Sequence, residues 1–248
     1  MNAPRAVSRP RVVVRDRAYH AALLPITLLV ACLFVGLLLG LRAPWPWLVM
    51  EVAPTQILRP LHTLFAFTWL LSGAAAVTCL LLADCGWRHA IAMQTGTATV
   101  FGLFVVGSSG AIASGFGSGL EYASWPLALS ALPVLALAAI AAGVWLNLTE
   151  LSRRSPEGAW LLITGAMLLP LGLIERVVFA SVPLDPLRAL STEWHALDTV
   201  FAGLNLMVYG LGVLMIATPG QGKPLRSRVL YAIAALALLS TFGHHHYA

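Results

Sequence analysis

Charge is what this sequence is short of. Asp, Glu, Lys and Arg make up only 10% of its 248 residues, and 59% are hydrophobic. A soluble globular domain carries about 25% charged residues. Mean hydropathy is +0.84. The shortage excludes a soluble protein and reads as an integral membrane protein. Cysteine is scarce too: Cys32, Cys79 and Cys85 form no CxxC pair. Cys32 and Cys79 lie inside apolar runs and read as buried structural thiols. The apolar runs show no period-two alternation and are far longer than a barrel strand, so a β-barrel is excluded. No cleavable signal peptide is expected, because the first twenty residues hold five Arg and no apolar core. The net charge of +5 is no sign of nucleic-acid binding, since the basic residues fall between the apolar runs. The eight Trp and five Tyr suit membrane interfaces as well as a core.

What is present is a series of long apolar runs. A spanning helix needs about 20 mostly apolar residues in a row. Seven segments qualify: 20–42, 57–83, 91–116, 126–149, 158–181, 191–217 and 225–247. Turn and charge signals such as "ADCGWRH", "GSGLEYASWP", "SRRSPEG" and "TPGQGKP" separate them. The expected fold is an all-α, seven-helix membrane domain over 19–248, preceded by a mobile basic arm over 1–18 on the anionic inner face. Arg and Lys set the orientation. With the N-terminus in the cytoplasm, eleven basic residues fall inside, among them Arg88, Arg153 and Arg154. Four fall outside: Arg42, Arg59, Arg176 and Arg188. Seven spans then place the C-terminus outside.

This topology gathers histidines. His62 lies about one turn into the second span, His195 about one turn into the sixth, and His244, His245 and His246 in the last turn of the seventh. Five of the seven histidines thus share one depth. His20 and His89 sit at the opposite side as interfacial residues. Polar groups at membrane depth are costly and turn inward. Neutral imidazole binds Cu, Fe and Zn, and three of them leave a coordination position open. Taken singly, each has a plainer reading: His62 as a helix-end residue, His195 beside Trp194 as part of an aromatic belt. Asp198 follows His195 by three residues, on the same helix face. An acid at that depth is a functional candidate, with a hydrogen bond to a neighbouring helix as the alternative. Glu175 and Arg176 end the fifth span and read as an interfacial ion pair, with pairing to each other's neighbours or to heme propionates as the alternative. Glu121 and Tyr122 sit in the loop after the third.

Four stretches resemble subunit I of the heme–copper oxidase superfamily, in its nitric oxide reductase and cbb-type oxidase branches. "ILRPLHTLFAFTWLLSGAAAV" (57–77) resembles the second helix, which opens on RxxH. "GLEYASWP" (119–126) resembles the loop after the third. "EWHALDTVFAGLNLMVYGLG" (193–212) looks like the sixth helix, and "VLYAIAALALLSTFGHHHYA" (229–248) like the seventh with its GHH pair. The resemblance implies His62 as an axial ligand of heme b, beside Arg59. It implies His195, His244 and His245 as ligands of a non-heme copper or iron, with His246 as the alternative register. A high-spin heme would face that metal.

The sequence departs from the pattern in two ways. Where oxidases carry a cross-linked tyrosine, this chain has Thr199 and Leu238. Where nitric oxide reductases carry a glutamate on the sixth helix, it has Thr199, with Asp198 one residue earlier. Family members also continue past the seventh helix, and a later helix supplies the remaining heme ligands. The implied function is a truncated or split respiratory reductase subunit in the bacterial inner membrane. It would reduce O2 or NO with electrons from cytochrome c or quinol, Asp198 would serve as the catalytic acid, and a partner chain would supply the missing helices. The alternative is a non-catalytic heme- or metal-binding accessory or sensor protein. Membrane lipid is a partner in either case; nucleic acid is not.

Overall fold

The computed structural model describes residues 11–41, 44–45, 54–117, 124–180 and 186–217, with Ala232 and Ala235; side chains are described from His20 in the first helix and from His195 in the last. The described residues form helices joined by turns, with no strand: α1 (Arg11–Leu41), α2 (Thr55–Asp84), α3 (Ala90–Ala113), a 3-10 turn (Leu127–Ser130), α4 (Ala131–Leu146), a short α5 (Leu148–Arg154), α6 (Pro156–Ala180) and α7 (Pro186–Ile216). Six helices are long and apolar enough to cross a membrane, and they coincide with the first six expected spans. The seventh, 225–247, lies outside the described residues except for the helical Ala232 and Ala235.

Three boundaries differ from expectation. The first helix begins at Arg11, so residues 11–18 of the basic arm continue it. The expected span over 126–149 opens on a 3-10 turn and closes at Asn147, whose side-chain amide donates back to the Gly143 carbonyl at 2.8 Å. A polar side chain that binds its own turn competes with the helix and ends it here. The sixth span begins at Pro186, inside the expected loop, because proline suits a first helical turn.

The other ends carry recognisable stops. Gly86 (φ +89°) and Gly115 (φ +79°) adopt the left-handed conformation that closes a helix. Trp87 N–H reaches the Leu82 carbonyl, and Phe116 N–H reaches Ala111. The stretch "SPEG" starts α6: Ser155 is extended, its hydroxyl accepts from Gly158 N–H at 3.2 Å, and Pro156 follows.

α2 is central and packs against α1, α3, α4 and α7, while α6 packs against α4 and α7. Hydroxyls inside the bundle bond their own helix: Thr68 to the Leu64 carbonyl at 2.7 Å, Thr78 to Ala74 at 2.8 Å. No neighbouring helix has to supply an acceptor for them. The tightest contact is α6 against α7. Gly158, Gly165 and Gly172 recur every seventh residue on α6, and Gly203 and Gly210 do so on α7. A Cβ on Gly172 would sit 2.7 Å from Val200 Cγ2 and 2.9 Å from the Ala196 carbonyl; one on Gly165 or Gly210 would collide with the opposing backbone. Helices in lipid gain little by hiding apolar surface from each other, so van der Waals contact between bare backbones holds them. A strict repeat of seven keeps that seam facing one partner along the antiparallel pair.

Candidate functional site

Two helix ends bring His62 to its place. It stands two turns into α2, against the second half of α1. Its Nδ1 lies 2.9 Å from the Cys32 carbonyl oxygen. A carbonyl only accepts, so Nδ1 carries the proton. The Cys32 thiol in turn faces the His62 carbonyl at 3.8 Å. The ring rests in the notch left by Gly36, where a Cβ would come within 2.9 Å of its Cε1. In the neutral ring Nε2 is left with the lone pair. No described residue hydrogen-bonds to it. An imidazole whose Nδ1–H is tied to a backbone carbonyl is oriented as metal- and heme-ligating histidines are. Arg59, one turn earlier, is exposed and lines a cavity of about 760 Å³ that His62 does not line.

His195 shares that depth but not that centre. Phe67 of α2 meets Phe201 of α7 edge-on, with centroids 6.4 Å apart. His62 and His195 lie five and six residues from these two rings, toward the same end and about 8–9 Å along each axis. His62 turns to α1, whereas His195 is exposed on the bundle surface. Asp198 is 4% exposed. The three-residue step from His195 to Asp198 rotates a side chain by about 60° from eclipse, enough to move from surface to interior. The expected shared face is therefore split. Among the described residues no three His, Cys, Asp or Glu side chains are grouped to hold a metal ion. His244, His245 and His246 lie outside the described residues, as do Glu121 and Tyr122.

The same end of the bundle holds a polar cluster that the sequence did not announce. Arg176 is 3% exposed. It donates to the Ser130 hydroxyl at 2.9 Å and lies 4.9 Å from the Trp125 ring centroid. Trp125 Nε1–H donates to the same hydroxyl at 3.0 Å. Trp125 is fully buried between Phe67 and Phe104, at centroid distances of 5.4 and 5.3 Å. A guanidinium on an indole face gains by cation–π attraction, more so away from water. Glu175, expected beside Arg176, instead accepts from the Thr199 hydroxyl at 3.1 Å. Thr199 also bonds the His195 carbonyl at 3.0 Å. Thr199 thus ties α7 to α6. The forewarning of Trp125 was the loop "GSGLEYASWP", in which nothing marked burial; Ser130 follows four residues after it.

Comparison with protein-family models, curated proteins and solved structures finds no match to this chain. The class defined by the fold is a multi-pass helical membrane protein.

Proposed function

We propose that this chain is a membrane heme-binding subunit of heme–copper respiratory type, with His62 as the axial ligand of heme b. The orientation of His62 carries the reading: Nδ1–H held by the Cys32 carbonyl, a backbone notch at Gly36, and Nε2 left to bind iron. When bound, heme supplies electron transfer and, at a high-spin site, reduction of O2 or NO. The chain's own part is to present the imidazole, fix its tautomer and surround it with apolar helices. His195, with His244 and His245 or His246, is the proposed ligand set for non-heme copper or iron, and Asp198, buried on the inward side of α7, the proposed acid. A cytochrome c or quinol would donate electrons, and a partner chain would supply the second heme ligand. The N-terminus is placed in the cytoplasm and the chain in the bacterial inner membrane. Arg88, Arg153 and Arg154 at one end of the bundle, against Arg59 and Arg176 at the other, support that orientation.

One observation favours a second reading. His195 is exposed rather than turned toward α2, which suits a heme-binding accessory or sensor protein without a binuclear centre. A visible spectrum and metal analysis of the detergent-purified protein separate the two. Stoichiometric b-type bands that vanish in His62→Ala, with Cu or Fe lost in His195→Ala, support the reductase subunit. Heme lost in His62→Ala, with no second metal, supports the accessory protein. Absence of heme from protein supplied with it during expression overturns both.

A further inference from the structure

Pro25 stands inside α1, in the second turn of its membrane span. It has no amide hydrogen, so the Ala21 carbonyl lacks the partner that a regular helical turn provides. In lipid such a carbonyl is costly to leave bare, and hydroxyl side chains or ordered water take the place of the missing amide. A cavity of about 10 Å³ lies at this point, where α1 meets α2 and α3. Ala21 and Pro25 line it from α1, Ser72 from α2, and Gln94, Thr97 and Phe101 from α3. Ala21, Ser72 and Thr97 are all buried. The two hydroxyls give their hydrogens to their own helices: Ser72 to the Trp69 carbonyl at 3.3 Å, Thr97 to the Gln94 carbonyl at 3.0 Å. Each oxygen can still accept, and no described residue donates to either. The Gln94 side chain is half-buried, and its amide has no partner among the described residues. Three acceptors and one amide donor therefore surround the same small space, on three different helices.

We propose that this cavity holds a single ordered water. It donates to the Ala21 carbonyl and to the hydroxyl oxygen of Ser72 or Thr97, and it accepts from the Gln94 side-chain amide. The volume is about the least that admits one water, and a buried water makes about three hydrogen bonds. No carboxylate lines the cavity to offset the dehydration of a cation. The water replaces the amide that Pro25 lacks and pins α1 to α2 and α3. Cys32 follows seven residues later, about 10 Å along the axis, so the pin steadies the stretch of α1 that seats His62. The site is separate from His62 and does not depend on heme.

The test compares two phenylalanines of α3 in the full chain, purified in detergent. Phe101 and Phe104 are 1% and 0% exposed, so bulk solvent reaches neither. Phe101 lines the cavity and Phe104 does not. X-ray radiolysis turns water into hydroxyl radicals, which oxidise the side chains they touch, and mass spectrometry reads the product. Phe101 should be oxidised about tenfold faster than Phe104, because it alone has a water at contact. Thr97→Val with Gln94→Leu removes an acceptor and the donor at similar volume, and should bring Phe101 down to the rate of Phe104. Circular dichroism shows whether that variant folds; if it does not, the wild-type comparison decides alone. Equal rates in the wild-type protein overturn the proposal, and so does an undiminished Phe101 rate in the folded variant. The thermal midpoint should be the same in sodium and in choline chloride. A rise specific to sodium would make the occupant a cation and overturn the proposal as well.

Discussion

At one end of the bundle Arg154, its side chain 19% exposed, donates to Asp84 at 2.8 Å, and the Asp84 side chain is 69% exposed. At the other end Arg176, 3% exposed, lies over Trp125 and bonds Ser130. Arg153 and Glu150 add a second exposed pair at the first end. The two ends give the same side chain different partners: a solvated carboxylate for Arg154, a buried hydroxyl and an indole face for Arg176. Exposed pairs keep most of their hydration and contribute little. A buried guanidinium gives up its hydration, and at Arg176 a hydroxyl and an indole face replace part of it. The first arrangement tolerates change. The second does not, and such residues in membrane proteins mark places where structure or function demands them.

The contrast can be broken most directly at Arg176. Arg176→Ala removes a charged hydrogen bond and a buried cation–π contact, a loss of about 3 kcal/mol together. Thermal unfolding in detergent, followed by circular dichroism, should show it as the largest drop among these variants; an unchanged midpoint would put the two ends on the same footing. Next comes the α6–α7 seam. Gly165→Val drives a side chain into the Gly203 and Met207 backbone, at about 1–3 kcal/mol for overpacking. Gly212→Val, where a Cβ meets nothing within 4 Å, should stay near wild type in the same melt. Arg154→Ala should cost below about 1 kcal/mol, and equality with Arg176→Ala would remove the distinction.

The smallest effect reads the exposed end through a thiol. Burial pushes the Cys85 thiol above its ordinary value of 9.0, with Arg154 pulling it back down and Asp84 and Glu150 adding to the rise. The thiolate is the reactive form. Maleimide labelling of Cys85 should therefore be slow at neutral pH and rise about tenfold per pH unit until the raised value is passed. Arg154→Ala removes the favourable charge and should slow labelling further at fixed pH. Faster labelling in that variant would contradict the assigned role of Arg154.

Much of the architecture was legible because hydropathy over twenty residues is a strong signal, and six expected spans are helices. Boundaries were less legible. Pro186 starts α7 inside what read as a loop, and Asn147 ends α4 by bonding its own turn. The heptad of glycines was present in the sequence but silent to hydropathy, which scores glycine as neutral; its meaning lies in the opposing backbone. At the site, the depth of His62 and His195 could be counted from helix ends. Their directions could not. His62 takes its tautomer from Cys32, thirty residues away on another helix, and Cys32 read only as a buried thiol. Asp198 and His195 part company because a three-residue step straddles the edge of a buried stripe. Arg176 and Glu175 are neighbours in sequence with unrelated partners, since consecutive helix residues point in different directions.

The glycine seam also bears on how the protein is made. Residues 181–185 are all that separates α6 from α7, so the two helices emerge from synthesis almost together. Their contact asks nothing of side-chain rotamers at its centre, only that two bare backbones slide into register. Such a hairpin can close inside the bilayer before it meets the rest of the chain, and then serve as the wall on which α4 and α2 are laid. A defect at Gly165 or Gly210 would then surface first as a failure of biogenesis, with the chain degraded before any cofactor could reach it.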